Sequence, residues 1–297
     1  MFDSENEQQN FLKKYNISQD RFRKSFLTWD TLREIADDFE VHRDEHLKTV
    51  QEYAVAIQQC SAVHSLSFRV KDTEHLIEKI IRKNEKYLEQ GKSITKDNYR
   101  EYITDLIGIR ILILFKEEWK NVHDFIIESY RDNFIEDPFA YIRKGDNKSY
   151  YEGNIKIIED RPYRSVHYTV RNDDGTGIEI QVRTLFEEAW SEVDHKIRYP
   201  YNIGNDMMNR YLEIMNRAAG MADEMGTFIH SHIKSFEAIN SNGYVSDNEV
   251  YNYILERLEE CKDEKLKDDI VNKINSSQQF KELSLMSEAM RSILDKM

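Results

Sequence analysis

The sequence predicts a mixed α+β protein in which helices flank a sheet, with further helices before and after it. Three observations predict this. Stretches of helical period occupy both ends of the chain. The run "DLIGIRILILF" is apolar over the length of a strand, and "YRSVHYTV" and "IEIQVR" alternate with period two on either side of an Asp-Gly turn.

Each element follows from its pattern. Residues 28–60 place Leu32, Ile35, Phe39, Leu47, Val50, Ala54 and Ile57 at helical spacing with charges opposite, which predicts a long amphipathic helical region. Residues 72–90 repeat the pattern with Leu76, Ile80, Tyr87 and Leu88 and stop at Gly91, a C-cap signal. The apolar run that follows is interrupted only by Arg110 and reads as a central strand buried on both faces. "EEWKNVHDFIIESYRDNF" returns to helical period, and "YIRKGDNKSYYEGNIKIIED", which carries Arg143, Lys144 and Lys148, reads as a loop or hairpin. In "YRSVHYTV", Val166, Tyr168 and Val170 share one face, and Tyr163, Ser165, His167 and Thr169 the other. "NDDGTG" turns the chain back into a strand whose core face is Ile178, Ile180 and Val182. Thr184 followed by Glu187 is a capping box that opens a helix. Its core side is expected to be Leu185, Ala189, Val193 and Ile197, with Glu188, Glu192, His195 and Tyr199 opposite. Residues 204–236 read as another amphipathic helix, and 247–297 as two or three more beyond the linker "AINSNGYVSDNE". The expected organisation is a helical N-terminal extension over 1–60, a central domain over 61–236 and an acidic helical appendage over 247–297.

Composition narrows the function classes. With 297 residues, 40% hydrophobic, the chain can bury a sizeable core. A net charge of -13 argues against non-specific binding of duplex nucleic acid, whose affinity comes mainly from neutralised phosphates. The N-terminus lacks the pattern of a secretory leader and no apolar run reaches the ~20 residues of a membrane span, so a cytoplasmic protein is expected. Cys60 and Cys261 lack CxxC spacing, which argues against structural zinc and a disulfide framework. Neither GxxxxGK[ST] nor GxGxxG occurs, so any phosphate must be held by Lys and Arg side chains.

The polar faces of two strands and one helix converge within Arg161–Tyr199. Asp105, at the entrance to the apolar strand, and Glu179, mid-strand, are a carboxylate pair suited to Mg2+; the plainer reading is a turn cap and a solvated strand residue. Arg69, Lys71 and Lys79, with Arg82 and Lys83, suit a triphosphate, but without further context the plainer reading, a solvated helix face, is preferred. His42 and His46 stand four apart without HExxH and read as helix surface, and the His123-Asp124 dipeptide lacks the further ligands of a metal phosphohydrolase.

Taken in order, "FRVKDTEHLIEKI", "DLIGIRILILF", "PYRSVHYTV", "EIQVRTLFEEAWSEVDHKIRY" and "AAGMADEMGTF" resemble the synthetase domain of the RelA/SpoT family, specifically the small alarmone synthetases, over about residues 60–232. The resemblance implies a nucleotidyltransferase-like sheet flanked by helices. It also implies a GTP/GDP pyrophosphokinase that moves the β,γ-pyrophosphate of ATP to the 3'-hydroxyl of GDP or GTP, giving (p)ppGpp and AMP. By the same resemblance Arg69 and Arg110 sandwich adenine, Lys71 and Lys79 hold the ATP phosphates, and Asp105 binds Mg2+ with Glu179 as second carboxylate and activator of the acceptor hydroxyl. Tyr163 stacks on guanine, and Arg164, His167, Gln181, Arg183, His195 and Lys196 lie around the acceptor nucleotide. Three departures fall on the acceptor side: Pro162 for a usual Gly, Glu188 for a usual Asn, and His75 for a usual Ser. Two alternatives stay open, a toxin-type relative that modifies the 3' end of tRNA and a catalytically silent nucleotide-binding module. Homo-oligomers are expected, as is common among small alarmone synthetases.

Overall fold

A computed structural model describes residues 2–159, 162–198 and 206–240; Arg161, Tyr199, Cys261 and the expected appendage lie outside them. The chain divides into two compact units, Met1–Phe228 and Ile229–Met297. All strands among the described residues belong to the first.

Four helices open the chain: α1 (Glu5–Lys14), α2 (Gln19–Lys24), α3 (Trp29–Val41) and α4 (Arg43–Ile57). Ser4, Ser18 and Thr28 cap the first three through backbone N–H groups. The long helical region expected over 28–60 is two helices, because the chain leaves helical geometry at His42, whose ring bonds the Asp38 carbonyl at 2.8 Å. Strand β1 (Ser65–Val70) leads into α5 (Thr73–Leu88), which is capped by Asp72. Short α6 (Tyr99–Tyr102) precedes β2 (Ile107–Ile113) and α7 (Trp119–Tyr130). The strands β3 (Phe139–Tyr141), β4 (Lys156–Ile158), β5 (Ser165–Arg171) and β6 (Gly177–Thr184) follow, then α8 (Leu185–Arg198) and α9 (Asp206–Asn240).

The sheet runs β1-β2-β6-β5-β3-β4. β2 and β6 are parallel neighbours at its centre, and β5–β6 is the antiparallel hairpin read from the turn. β3 and β4 pair in parallel rather than as a hairpin. The loop between them is anchored by buried Tyr151 edge-on to Trp119, so the chain returns to the same end before β4 begins.

Two apolar clusters hold this arrangement. Ile109, Ile111, Val166, Tyr168, Ile178 and Ile180 form one face of the sheet and pack with Val50 and Ile57 of α4 and Trp119, Val122 and Ile126 of α7. The second joins Leu32, Ile35 and Phe39 of α3 to Leu76, Ile77, Ile80 and Ile81 of α5. Each large side chain fully buried this way contributes about 1.5–3 kcal/mol. β2 is buried on one face only: its Ile residues are covered while Gly108, Arg110 and Leu112 are half-exposed, because that second face lines a cleft. His46 is buried against Phe39 rather than surface-exposed, and burial lowers its pKa. His123 is likewise buried and bonds the Tyr168 hydroxyl at 3.1 Å. Among the described residues no helix is long and apolar enough to cross a membrane.

The capping box forms as read: Glu187 N–H donates to Thr184 Oγ1 at 3.1 Å and Thr184 N–H to Glu187 Oε2 at 3.0 Å. The buried face of α8 differs from the expected stripe, however. Trp190 and Glu187 are covered and Ala189 is exposed, because Trp190 Nε1 donates to the Leu212 carbonyl of α9 at 2.9 Å and turns the helix toward it. Asp223 of α9 shares this interior with Glu187 and Lys116. Burial first, and the Glu187 charge second, push its carboxyl up to about 7 against Lys116 and Arg164. The folded state therefore favours neutral Asp223, and its contribution to stability declines as pH rises from the ordinary Asp range through about 7. Asp223→Asn removes the decline, so it is expected to stabilise the protein more at pH 8 than at pH 5, by about 1.4 kcal/mol for each unit of pH in that window. Urea titrations at the two pH values measure it; equal effects at both would contradict the assignment.

Candidate active site

Strand register builds the cleft. Arg69, Gly108, Glu179 and Thr169 are paired in one row across β1, β2, β6 and β5. Ser67, Arg110, Gln181, His167 and Phe139 form the next row, extending to β3. Alternation puts both rows on the sheet face away from the isoleucine core. Ser67, Arg69, Gly108, Arg110, Glu179 and Gln181 of these rows line a cleft of about 230 Å³ together with Phe68, Ile109 and Glu192 of α8. Gly108 keeps its floor flat, and Arg69 lies across it with Cγ 3.6 Å from where a Cβ would stand.

Asp105 enters from the segment between α6 and β2. A Cβ on Gly177 would lie 2.6 Å from Thr104 Cα, so only glycine at the start of β6 lets this segment approach. Asp105 Oδ2 accepts from Lys71 Nζ at 2.8 Å and pairs with Lys79 Nζ at 2.5 Å. Burial would raise the Asp105 pKa, but the two ammonium groups outweigh it and hold the carboxyl down to about 2. Burial lowers the Lys71 pKa although Asp105 opposes it. Asp105 Oδ1 is buried without a hydrogen-bond partner. A buried carboxylate oxygen left open in this way fits a hard divalent cation such as Mg2+, which takes one or two carboxylates and completes its shell with water and phosphate. Among the described residues no cluster of three or more His, Cys, Asp or Glu is placed to hold a metal.

Glu179 accepts from His167 Nδ1 at 3.1 Å and from Gln181 Nε2 at 2.9 Å. Burial raises its pKa and so does Asp105, but His167 and Gln181 together leave it lowered and the carboxylate ionised. Phe139 stacks on the His167 ring at 5.2 Å and fixes its plane.

The remaining candidates fall into two groups. Arg183, 3% exposed, bonds Glu188 Oε2 at 2.7 Å, Ser191 Oγ at 3.0 Å, Gln181 Oε1 at 2.8 Å and the Tyr163 hydroxyl, and its guanidinium lies 4.6 Å over the Tyr163 ring. Glu188 also pairs with Arg110, which takes Glu192 Oε1 at 2.6 Å. Glu188 therefore ties the Arg110 side of the cleft to Tyr163 through Arg183. Arg164 stands apart. Its guanidinium is buried among Asp146, with Nε to Oδ2 at 2.5 Å, Asn216 and Gly220. His195 and Lys196 are exposed on α8 and are not among the cleft-lining residues.

Reading the sequence did not single out Gly177, Asp146 or Asn216. Their partners lie far along the chain, and a lone glycine or a loop "GDN" carries no local sign of them.

The sequence pattern described as "Region found in RelA / SpoT proteins" matches residues 68–204, the stretch that holds Arg69, both carboxylates and the β5–β6 hairpin. The chain is 29% identical over 172 residues, 58% of its length and 74% of the relative's, to GTP pyrophosphokinase YwaC of Bacillus subtilis (strain 168). It is 24% identical over 194 residues, 65% of its length and 82% of the relative's, to GTP pyrophosphokinase YjbM of the same organism. Among solved structures, a GTP pyrophosphokinase family protein from Streptococcus pneumoniae superposes with a TM-score of 0.49 at 24% identity, covering 72% of this chain and 98% of that one. Residues 68–204 therefore carry the region found in RelA/SpoT proteins.

Proposed function

We propose that this protein is an ATP-dependent pyrophosphokinase that transfers the β,γ-pyrophosphate of ATP to the 3'-hydroxyl of GDP or GTP. The observation that carries the reading is the grouping around Asp105: an ionised carboxylate with one oxygen open, two lysines on the other, and the second ionised carboxylate, Glu179, on the adjoining sheet row. The names of the two Bacillus subtilis relatives support the same activity.

In this reading Lys71 and Lys79 exchange part of their contact with Asp105 for ATP phosphate oxygens, as point charges beside a flexible chain. Arg69 and Arg110 offer planar guanidinium groups on either side of Gly108 for the donor base. Asp105 Oδ1, with Glu179 nearby, would hold Mg2+, which when bound neutralises charge on the transferring group. Tyr163 presents its ring to the acceptor base, held by Arg183 at its hydroxyl and one face. Glu179 takes the proton of the acceptor hydroxyl as that oxygen bonds to the β-phosphorus; the bond from the β-phosphorus to the bridging α–β oxygen breaks and AMP leaves. His167 and Gln181 keep Glu179 oriented and anionic until then. Positioning and charge, rather than covalent chemistry, supply the rate.

Incubating the protein with γ-labelled ATP and GDP, GTP or deacylated tRNA tests the proposal. Label is expected in the guanosine nucleotide. Label in tRNA alone would establish the toxin-type reaction instead, and label in no acceptor would leave a silent nucleotide-binding module.

Stacking on Tyr163 gives a second expectation. Base–aromatic stacking is worth about 1–3 kcal/mol, so Tyr163→Ala should raise the acceptor KM by roughly five- to 150-fold at little change in ATP KM. Tyr163→Phe keeps the ring and loses the Arg183 and Gln181 bonds, and should cost less. Equal damage from both would assign the effect to the hydroxyl.

A further inference from the structure

Arg110 and Arg183 stand on the same face of neighbouring strands. The β2–β6 register pairs Arg110 with Gln181 and Leu112 with Arg183, so the two guanidinium groups are diagonal neighbours of like charge. What comes between them is the first turn of α8. The Thr184–Glu187 capping box starts that helix directly after β6 and thereby fixes where Glu188 stands. Its carboxylate is divided: Oε1 accepts from Arg110 Nη1, and Oε2 from Arg183 Nη1 at 2.7 Å.

The two arginines depend on Glu188 unequally. Arg110 has a second carboxylate, that of exposed Glu192. Among the described residues Arg183 has no other, since Ser191, Gln181 and Tyr163 give it neutral oxygens. A buried cation with one counter-ion follows that counter-ion, because leaving it unpaired is costly. Arg183 Nε is itself buried without an acceptor, so this arrangement does not use the whole fork.

From Arg183 the bonds continue in two directions, to the Tyr163 hydroxyl and through Gln181 to Glu179. One unbroken chain thus runs from the arginine of the donor base to the tyrosine of the acceptor base and to the general base. We infer that Glu188 is a positioning residue that couples the two nucleotides: by sharing one carboxylate between Arg110 and Arg183, it makes donor and acceptor bind with positive cooperativity. The inference rests on the donor and acceptor subsites proposed above. Its sign follows from ordering. Whichever nucleotide arrives first immobilises one guanidinium and, through Glu188, the other; the second nucleotide then meets a side chain already ordered and binds more tightly. Glu192 holds Arg110 and not Arg183, so it contributes no coupling.

Calorimetry on the full chain tests this with GDP and the α,β-methylene analogue of ATP, whose carbon bridge replaces the oxygen link that transfer would break. Saturating analogue is expected to lower the GDP Kd about fivefold or more, and saturating GDP to lower the analogue Kd by the same factor. Glu188→Gln keeps the volume but leaves one acceptor oxygen for two guanidinium groups, so both nucleotides should still bind while the factor falls below about twofold. Glu192→Gln should weaken the analogue and leave the factor unchanged. Arg183→Gln interrupts the chain one link further on, with Glu188 still neutralised by Arg110. It should lose the factor too, and it decides the matter should Glu188→Gln not fold. Independent binding by the wild type overturns the proposal. So does a factor that survives Glu188→Gln or Arg183→Gln, or one lost equally in Glu192→Gln. A wild type that fails to bind the analogue or GDP at all overturns the subsites themselves, which separates that failure from a failure of the coupling.

Discussion

Glu179→Gln is expected to lose about 10²- to 10⁴-fold in pyrophosphate transfer while folding as the wild type does, the range that a positioned general base contributes. The substitution preserves volume and one acceptor oxygen for His167 Nδ1 or Gln181 Nε2. What it removes is the anion that receives the acceptor proton. The loss should fall on kcat rather than on either KM, because Glu179 acts where charge develops and not on the bases. The lowered pKa of Glu179 adds a check on sign. Burial would raise it and His167 more than offsets this, so the carboxylate is ionised above the ordinary Glu range. Transfer by the wild type should then show no acidic limb from this group near neutrality. Initial rates with labelled ATP between about pH 4 and pH 8, bracketing the usual Glu and His values, measure both points. A folded Glu179→Gln protein with wild-type turnover would remove the base from the mechanism.

The largest loss of stability is expected from Asp146→Ala. Arg164 is 3% exposed and its charge is met by Asp146, with Nε to Oδ2 at 2.5 Å and Nη2 to Oδ1 at 3.4 Å. Asn216 takes the other side of the guanidinium and passes the network on to the Pro162 carbonyl at 2.7 Å, at the foot of the Tyr163 loop. Gly220 makes room for it, since a Cβ there would lie 2.8 Å from Arg164 Nη2. Removing Asp146 leaves a buried cation without a counter-ion, which costs about 3–5 kcal/mol. The pH dependence has a definite sign. Burial raises the Asp146 pKa, the bonds and charge of Arg164 outweigh it, and the result is lowered. The stabilisation is therefore complete above the ordinary Asp range and fades as pH falls through the lowered value, so the deficit of Asp146→Ala should shrink in acid. Urea unfolding at pH 7 and at about pH 3, below the usual Asp value, follows this. The double variant Asp146→Leu/Arg164→Met should recover most of the loss, because the unpaired charge is gone. A single-variant loss under about 1 kcal/mol would mean that water reaches the guanidinium.

Much of the site was legible because its signals are local. Alternation in "YRSVHYTV" and "IEIQVR" and the Asp-Gly turn between them determine which residues of β5 and β6 share the polar face, and Thr184 with Glu187 determines where α8 starts. Motif order adds the identity of the domain, since residues spaced along the chain in that sequence bring Arg69, Asp105 and Glu179 into a single match. The break at His42, the parallel pairing of β3 with β4 and the turning of α8 onto Trp190 were not legible, because each is set by an element remote in the chain: α9 for Trp190, Trp119 for the loop before β4.

The same division runs through the charges. Sequence by itself determined that any phosphate binding must rest on Lys and Arg side chains, since neither glycine-rich phosphate motif occurs, and that one carboxylate stands at the entrance to a strand and a second within a strand. Only tertiary structure decided how those charges are spent: Lys71 and Lys79 on one oxygen of Asp105, Glu188 between Arg110 and Arg183, and Arg164 on Asp146 instead of the cleft. A residue's type and the face of its strand are set by neighbours two to four positions away. The partner that neutralises a charge is set by which distant segment desolvates it, because only in a buried place does one specific partner outweigh water.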